Sequence, residues 1–333
     1  MSGKPTRKGL LVIEALEKFP KASKRSIGTY LHENYPALFT SVENARKLVV
    51  QYTSENSNIK ETIEHESDAT RDNPFGIPRT RGSVRKFTHL PEEIRSVLVL
   101  SDIHFPNHDP EALEAALQYG LDNKIDCIVL NGDILDNEPF TSHLAPPPIL
   151  SDVREWFEMV EEFLDMLTRV FKAPIYWLEG NHDAWYKRYL MKAAPLLYHD
   201  SYYTMSSRLK LREKHIVWLN EDEILMAGKL PISHGHMIVK GFFSPVNPAK
   251  GVYNKLKSSM MIGHCHTTSE HSESTLDHQL VTCYSTGCLC TLAPGYDPFN
   301  CKHNLGFAHV EIRENRNYRV HNKRIDYITK EIY

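Results

Sequence analysis

The feature that most constrains this chain is a recurrence: short apolar runs, each emptying into Asp, His or Asn. Val97-Leu98-Val99-Leu100 leads into Asp102-Ile103-His104, and Ile125-Asp126-Cys127-Ile128-Val129-Leu130 into Gly132-Asp133-Ile134-Leu135-Asp136. Pro174-Ile175-Tyr176-Trp177-Leu178 leads into Gly180-Asn181-His182-Asp183. Unbroken apolar runs of this length read as strands covered on both faces. Helical patterns separate them. Asp109-Pro110-Glu111 supplies an N-cap, a first-turn Pro and an acid at the positive end of the dipole. Residues 152–171 carry Val153, Trp156, Phe157, Val160, Phe163, Leu164, Leu167 and Phe171 on one stripe. Later strands are expected at 230–233, 258–262, 279–285 and 306–312, the first two running into His234-Gly235-His236 and Gly263-His264-Cys265-His266. Strand–helix alternation without an internal repeat is the α/β class. In an open α/β sheet, ligands bind outside the carboxyl ends of the strands. Five strand ends therefore bring Asp, His and Asn to one edge.

Carboxylate oxygens, an amide oxygen and imidazole nitrogens form a ligand set for first-row metals. Asp-x-His at a strand end spaces two such ligands so that both can face one ion. The Gly before Asp133, Asn181 and His264 is expected to let backbone and metal come close. Two divalent ions bring +4, and two Asp carboxylates −2. The remaining +2 suits a hydroxide and a phosphate in an in-line displacement. Composition agrees: the chain has 18 His against 16 Gly.

In this order the five motifs, D-x-H, G-D-x-x-D, G-N-H-[DE], H-G-H and G-H-x-H, resemble those of the calcineurin-like metallophosphoesterase superfamily. The resemblance covers residues 96 to about 312. It implies a four-layer αββα sandwich with a dinuclear centre. By motif, Asp102, His104 and His266 would hold the first metal, and Asn181, His234 and His264 the second. Asp133 would bridge them. His182 would face the leaving group as general acid or stabilise the transition state, and Asp136 would orient His182. Cys265 would point away from the metals. The cofactor expected is two divalent ions, Mn first, with Fe, Zn, Ni or Co as alternatives.

Each residue also has a plainer reading. Asp102 and Asp133 could be helix caps, and Asn181-His182 a turn; the ordered set of five argues otherwise. His236, His143 and His108 are candidate substrate contacts in the cleft. Trp185, Tyr186 and Arg188 interleave aromatic and basic side chains just after His182, as in segments that stack bases and grip phosphates. On an amphipathic helix some of them would be core.

Charge is uneven. Residues 1–60 hold 10 Lys/Arg and 5 Asp/Glu, a net of +5, which leaves −8 for the rest of a chain whose total is −3. Residues 1–55 read as a small basic domain of three helices. The first carries Leu10, Leu11, Glu14 and Lys18, and ends before Pro20. The second carries Ile27, Tyr30 and Leu31. The third starts at Thr40-Ser41-Val42-Glu43, read as a capping box between Thr40 and Glu43, and carries Val42, Ala45, Val49 and Tyr52, with Arg46 and Lys47 exposed. Such a unit could be helix-turn-helix-like or could simply pack on the catalytic domain. Through Asn34-Tyr35-Pro36-Ala37-Leu38-Phe39 and Glu43-Asn44-Ala45-Arg46 it is similar to an extension preceding this catalytic domain in some phage and bacterial members. Residues 56–95 read as a polar linker and 96–333 as the catalytic domain.

No apolar run reaches a membrane-spanning length, and the first residues lack a secretory apolar stretch. Six Cys (127, 265, 283, 288, 290, 301) are too sparse for a disulfide scaffold; the last four could bind zinc as a cluster, but their spacing matches no common zinc module and reduced thiols are the first reading. The expected location is the cytoplasm, the host's if the chain is phage-encoded. The expected function is hydrolysis of phosphoesters, in nucleic acid (DNA or RNA) or nucleotides. A phosphatase for a small phosphomonoester, dinucleotide or phosphoprotein is the alternative, and a non-catalytic nucleic-acid adaptor the third reading. No membrane partner is expected, and oligomeric state is not encoded in any motif.

Overall fold

The computed structural model describes residues 6–20, 22–53, 85–141, 150–239, 246–292 and 301–333. Two compact units divide it, Met1–Gly82 and Ser83–Tyr333.

The second unit is built on two six-stranded sheets. One has the order β12-β11-β2-β3-β4-β5, with β2 (Ser96–Leu100), β3 (Cys127–Asn131), β4 (Ile175–Leu178) and β5 (Ile216–Leu219) parallel, and β11 (Gly306–Ile312) and β12 (Tyr318–Arg324) antiparallel at one side. The other has the order β1-β6-β7-β8-β10-β9 and mixed direction. Its strands are β1 (Lys86–His89), β6 (Glu223–Ala227), β7 (Leu230–Ile232), β8 (Met260–Ile262), β9 (Ser269–Ser274) and β10 (Leu280–Ser285).

Side-chain alternation makes the layers. Val97, Val99, Val129 and Leu178 face Leu225, Ile232 and Met261 across the space between the sheets. Leu98, Leu100, Leu130 and Trp177 face the other way, onto helices Pro110–Asp122 and Leu150–Phe171. Phe157, Val160, Leu164 and Leu167 from the long helix are buried there, as its stripe predicts. Met260 and Ile262 point outward from the second sheet to helix Pro248–Leu256, whose Ala249 and Val252 cover them. The result is the expected helix–sheet–sheet–helix sandwich.

Several strands were not foreseen. β1 lies within the stretch expected as linker and pairs in parallel with β6. Leu90 and Ile94, which follow it, are buried. β5, β6, β9 and β12 were also missed.

In the first unit, helices α1 (Arg7–Lys18), α2 (Lys24–Asn34) and α3 (Val42–Thr53) enclose a core of Val12, Ala15, Ile27, Leu31, Phe39, Ala45 and Val49. The face of α1 is shifted from expectation: Val12 and Ala15 are buried, whereas Leu10 is 53% exposed. The cap of α3 is also different. Ser41 Oγ accepts the Asn44 N–H at 3.1 Å, while Glu43 turns to Arg46 in a two-armed ion pair. Arg46 is thus partnered within its own helix rather than free. Ser41→Ala is expected to cost this unit about 1 kcal/mol and Thr40→Ala almost nothing, measured by chemical denaturation followed through helix content. Equal costs would restore Thr40 as the cap.

Candidate metal centre

The five motifs converge at the carboxyl ends of β2, β3, β4, β7 and β8. The loops that present them are unusual in backbone: Asp102, His104, Asp133, His264 and His266 all have φ between 52° and 63°. Non-glycine residues seldom adopt this left-handed region, and when they do, the cost is borne where a side chain must be aimed. Gly132, at φ 83°, precedes Asp133; a Cβ there would lie 2.3 Å from His234 Nδ1. A Cβ on Gly263 would lie 1.9 Å from Ser101 Oγ. These glycines therefore make room for neighbouring side chains of the centre.

Asp133 sits at the middle. Its Oδ2 lies 3.1 Å from His234 Nε2 and 3.9 Å from His104 Nε2. His104 Nε2 and His266 Nε2 are 3.2 Å apart, and His266 Nε2 lies 3.2 Å from Asp102 Oδ1. On the His234 side, its Nε2 is 3.2 Å from Asn181 Oδ1. Asp133, His234 and His264 each place a ligand atom within 4.8 Å of the others. The Nδ1 of His234 meets the Asn131 carbonyl at 2.8 Å. Donation there fixes the tautomer and leaves Nε2 facing the centre.

Electrostatics follow from this crowding of buried groups. Burial opposes ionisation of Asp133, yet His234, His182 and His104 hold its carboxyl well below the usual range. Burial is likewise overridden at Asp102, where His266 lowers the carboxyl to about 2. Burial would lower His234, but Asp133 pushes it up to about 9. His264 goes down to about 4, through burial and then the nearby His234.

His182 lies beside this group. Its Nδ1 meets the Asp136 backbone carbonyl at 2.6 Å and the Asp136 carboxylate at 3.0 Å. Its ring sits edge-on to His104 and lies tilted at 31° against Trp185, centroids 3.8 Å apart. Burial lowers the His182 pKa, but Asp133 and Asp136 outweigh it and raise it. Asp136 does more than was expected of it: its Oδ1 also meets His104 Nδ1 at 3.2 Å, and its Oδ2 accepts from Asn107 at 2.6 Å.

Asp183 closes the third motif and braces the loops around it. Its buried carboxylate accepts the N–H groups of Asp133, Ile134, Leu135 and Gly180 at 2.9, 3.2, 3.3 and 2.9 Å, and Trp177 Nε1–H at 3.1 Å. Burial, then the charge of Asp133, pushes its pKa up to about 6 against the pull of these donors. An acid at the third position of a helix is a sequence signal for reaching back to the cap; it was there to be read. Cys290, named only with the other late cysteines, also lies beside the centre. Its Sγ lies 3.9 Å from His266 Nδ1.

The substrate candidates fare unevenly. His236 is buried, its Nε2 held 3.0 Å from Glu221 and its Nδ1 without a hydrogen-bond partner. His108 packs on the Phe105 ring and lines an apolar groove of about 380 Å³ with Leu113, Leu117 and Phe163, not the metal-motif residues. His143 lies outside the described residues. Tyr186 is partly buried, packed on Phe140 and Phe157 against the edge of the helix-side core. Arg188 pairs with Glu221 at 2.5 Å. Cys265 packs toward helix Pro248–Leu256 and also lines the cleft beside His264. The other cysteines do not form one cluster: Cys283 bonds the Ser258 carbonyl, whereas Cys288 and Cys290 lie behind His266. A cleft of about 440 Å³, lined by His264, Thr267, Lys302 and His303 among others, opens beside the centre.

The family model described as calcineurin-like phosphoesterase matches residues 95–287, more than half of the chain. This chain belongs to that family. As a calcineurin-like phosphoesterase it is of a class of metal-dependent phosphoesterases with a dinuclear centre, and the His/Asp groups described above fit such a centre. No curated protein matches it in sequence. Solved structures similar to this phosphoesterase include Vps29 of Entamoeba histolytica complexed with zinc, 15% identical, covering 72% of this chain and 96% of that one, TM-score 0.36. A dimetal phosphatase from Danio rerio is 11% identical, with 68% and 98% covered and TM-score 0.36. The E. coli phosphoesterase Yfce is 14% identical, with 68% and 98% covered and TM-score 0.34. Among the described residues, no helix of the phosphoesterase is long and apolar enough to cross a membrane.

Proposed function

We propose that this chain is a dinuclear-metal phosphodiesterase acting on nucleic acid or nucleotides. The observation that carries the reading is Asp133, buried and in reach of both His104 and His234, with His182 beside it braced by Asp136. Asp102, His104 and His266 would hold one ion, and Asn181, His234 and His264 the other. Asp133 belongs to both sets. Oxygen and imidazole donors of this kind fit manganese, the ion we favour, and also Fe, Zn, Ni or Co. When bound, two such ions supply Lewis acidity toward phosphoryl oxygens and a water of lowered pKa.

The chain's own groups supply the rest. Asp136 holds the Nδ1 side of His182, which leaves Nε2 to carry a proton to the leaving oxygen. Trp185 restricts the ring by packing against it. Buried His236 keeps its Nε2 on Glu221 and its Nδ1 unpartnered but closed to solvent, so it is left out of the substrate contacts. The choice of nucleic acid rests on the basic N-terminal region, with net +5 over residues 1–60. The Trp185–Tyr189 segment lends it less, since Tyr186 is partly buried against the core and Arg188 is paired. None of the six cysteines is in a disulfide, which suits a reducing compartment, and the location we infer is cytoplasmic.

A substrate panel on manganese-loaded protein tests this. Bis-p-nitrophenyl phosphate is expected to turn over faster than the mono-ester, and single-stranded DNA to be cut. DNA left intact while the mono-ester turns over would favour the phosphomonoesterase alternative. Removing residues 1–60 is expected to leave bis-p-nitrophenyl phosphate hydrolysis within about twofold and to lower DNA cleavage by roughly tenfold at moderate salt, because phosphate contacts from a basic surface dominate such affinity. Unchanged DNA cleavage would remove the N-terminal unit from substrate binding.

A further inference from the structure

β11 and β12 carry a second cluster of ligating side chains that the phosphoesterase reading does not use. His309 on β11 stands directly opposite His321 on β12. Their rings stack, centroids 5.4 Å apart at 27°. Glu311 is two residues beyond His309, so its side chain shares that face, and its Oε1 lies 3.3 Å from His321 Nε2. One ligand atom from each of the three lies within 4.8 Å of the others. Ala308 and Val310 face the space between the sheets, which puts the cluster on the opposite face, beside Tyr119 of helix Pro110–Asp122.

We propose that His309, Glu311 and His321 form a separate binding site for a divalent cation of the zinc class. Two imidazoles and one carboxylate are a zinc ligand set with a fourth position left open, and a poor set for magnesium or calcium, which prefer oxygen alone. His309 is buried, and its two ring nitrogens meet Ser96 Oγ at 2.9 Å and Tyr119 Oη at 3.2 Å. Hydroxyls can donate or accept, so when one nitrogen turns to a cation the other stays held and orients the ring. Glu311 and His321 keep 47% and 25% of their side chains exposed, which gives an ion a way in from solvent. Lys323, over the Tyr119 ring, and Arg319, paired in register with Glu311, are the cations nearby. They oppose the added charge, and the Glu311 carboxylate offsets them. The site is distinct from the strand-end centre: Glu311 pairs with Ser96 at the start of β2, whereas Asp102 follows its far end.

The test is a metal count on the full chain, depleted of metal, incubated with excess Zn²⁺ and freed of unbound ion by gel filtration. Wild type is expected to retain one more Zn²⁺ per chain than either His321→Ala or Glu311→Gln, or to bind that ion at least tenfold more tightly. Loss of ions from the strand-end centre lowers all three counts together, so the difference reads this site alone. Glu311→Gln alters a half-exposed side chain and decides the matter if His321→Ala does not fold. Equal counts and equal affinities in wild type and the folded variants overturn the proposal.

Discussion

His182→Ala is expected to lower turnover of bis-p-nitrophenyl phosphate by roughly 10²–10⁴-fold while the protein keeps two ions per chain. The reasoning is geometric. His182 touches the centre through its ring edge on His104 and through its backbone N–H, which donates to Asp133 at 2.8 Å. Replacing the side chain leaves that backbone bond in place and removes the proton donor. Metal content measured beside kcat separates the roles: lost turnover with retained metal marks a proton carrier, whereas lost metal marks a ligand and contradicts the assignment. Asp136→Asn provides the contrast. Asp136 touches both His182 and His104, so its variant is expected to lose turnover and also to bind metal roughly 10–100-fold more weakly.

The second large effect is on the fold. Asp183→Ala strips the acceptor from five buried or part-buried N–H donors at once, four of them on the loops that carry Asp133 and Asn181. Buried donors left without partners each cost on the order of 1–3 kcal/mol, and the loops relax to recover part of it. The expected loss is about 3–5 kcal/mol, which in a domain of this size lowers the melting temperature by roughly 10 °C. Asp183→Asn should fall between, since it keeps one acceptor oxygen but sets an NH₂ group among donors. Thermal melts of the metal-free variants give the answer. A shift within a degree or two for Asp183→Ala would mean that the loops hold their shape without this carboxylate.

The catalytic core was legible because the central strands are covered on both faces. Val97–Leu100 and Ile175–Leu178 have to be apolar throughout, and no other element of their length reads that way. The edges were not legible for the complementary reason. β9 (Ser269–Ser274) is polar and largely open to solvent, and β12 (Tyr318–Arg324) is mostly polar and half-buried, so their strand character comes from the neighbour they pair with. β1 is the same case within a stretch that looked like linker. At the centre, the strand-end residues could be named because each motif is a local string. What could not be seen was how a side chain is used twice, as Asp136 is by His104 and His182. Nor could periodicity tell which side of the Asn181–Ala193 helix is core, so Tyr186 was placed with the substrate while it packs on Phe157. The Thr40 cap failed by one residue, since adjacent hydroxyls compete for the same N–H and only the backbone entry decides.

The central claim is that catalysis depends on two ions held at the strand-end centre. Metal-depleted full chain, titrated with Mn²⁺ and assayed on bis-p-nitrophenyl phosphate, tests it most directly. Activity is expected to be absent without metal, to rise with added Mn²⁺ and to level off at two bound ions per chain, and Asp133→Asn is expected not to recover at any Mn²⁺ concentration. Hydrolysis that persists in the metal-depleted protein, or none at saturating Mn²⁺, would contradict the account.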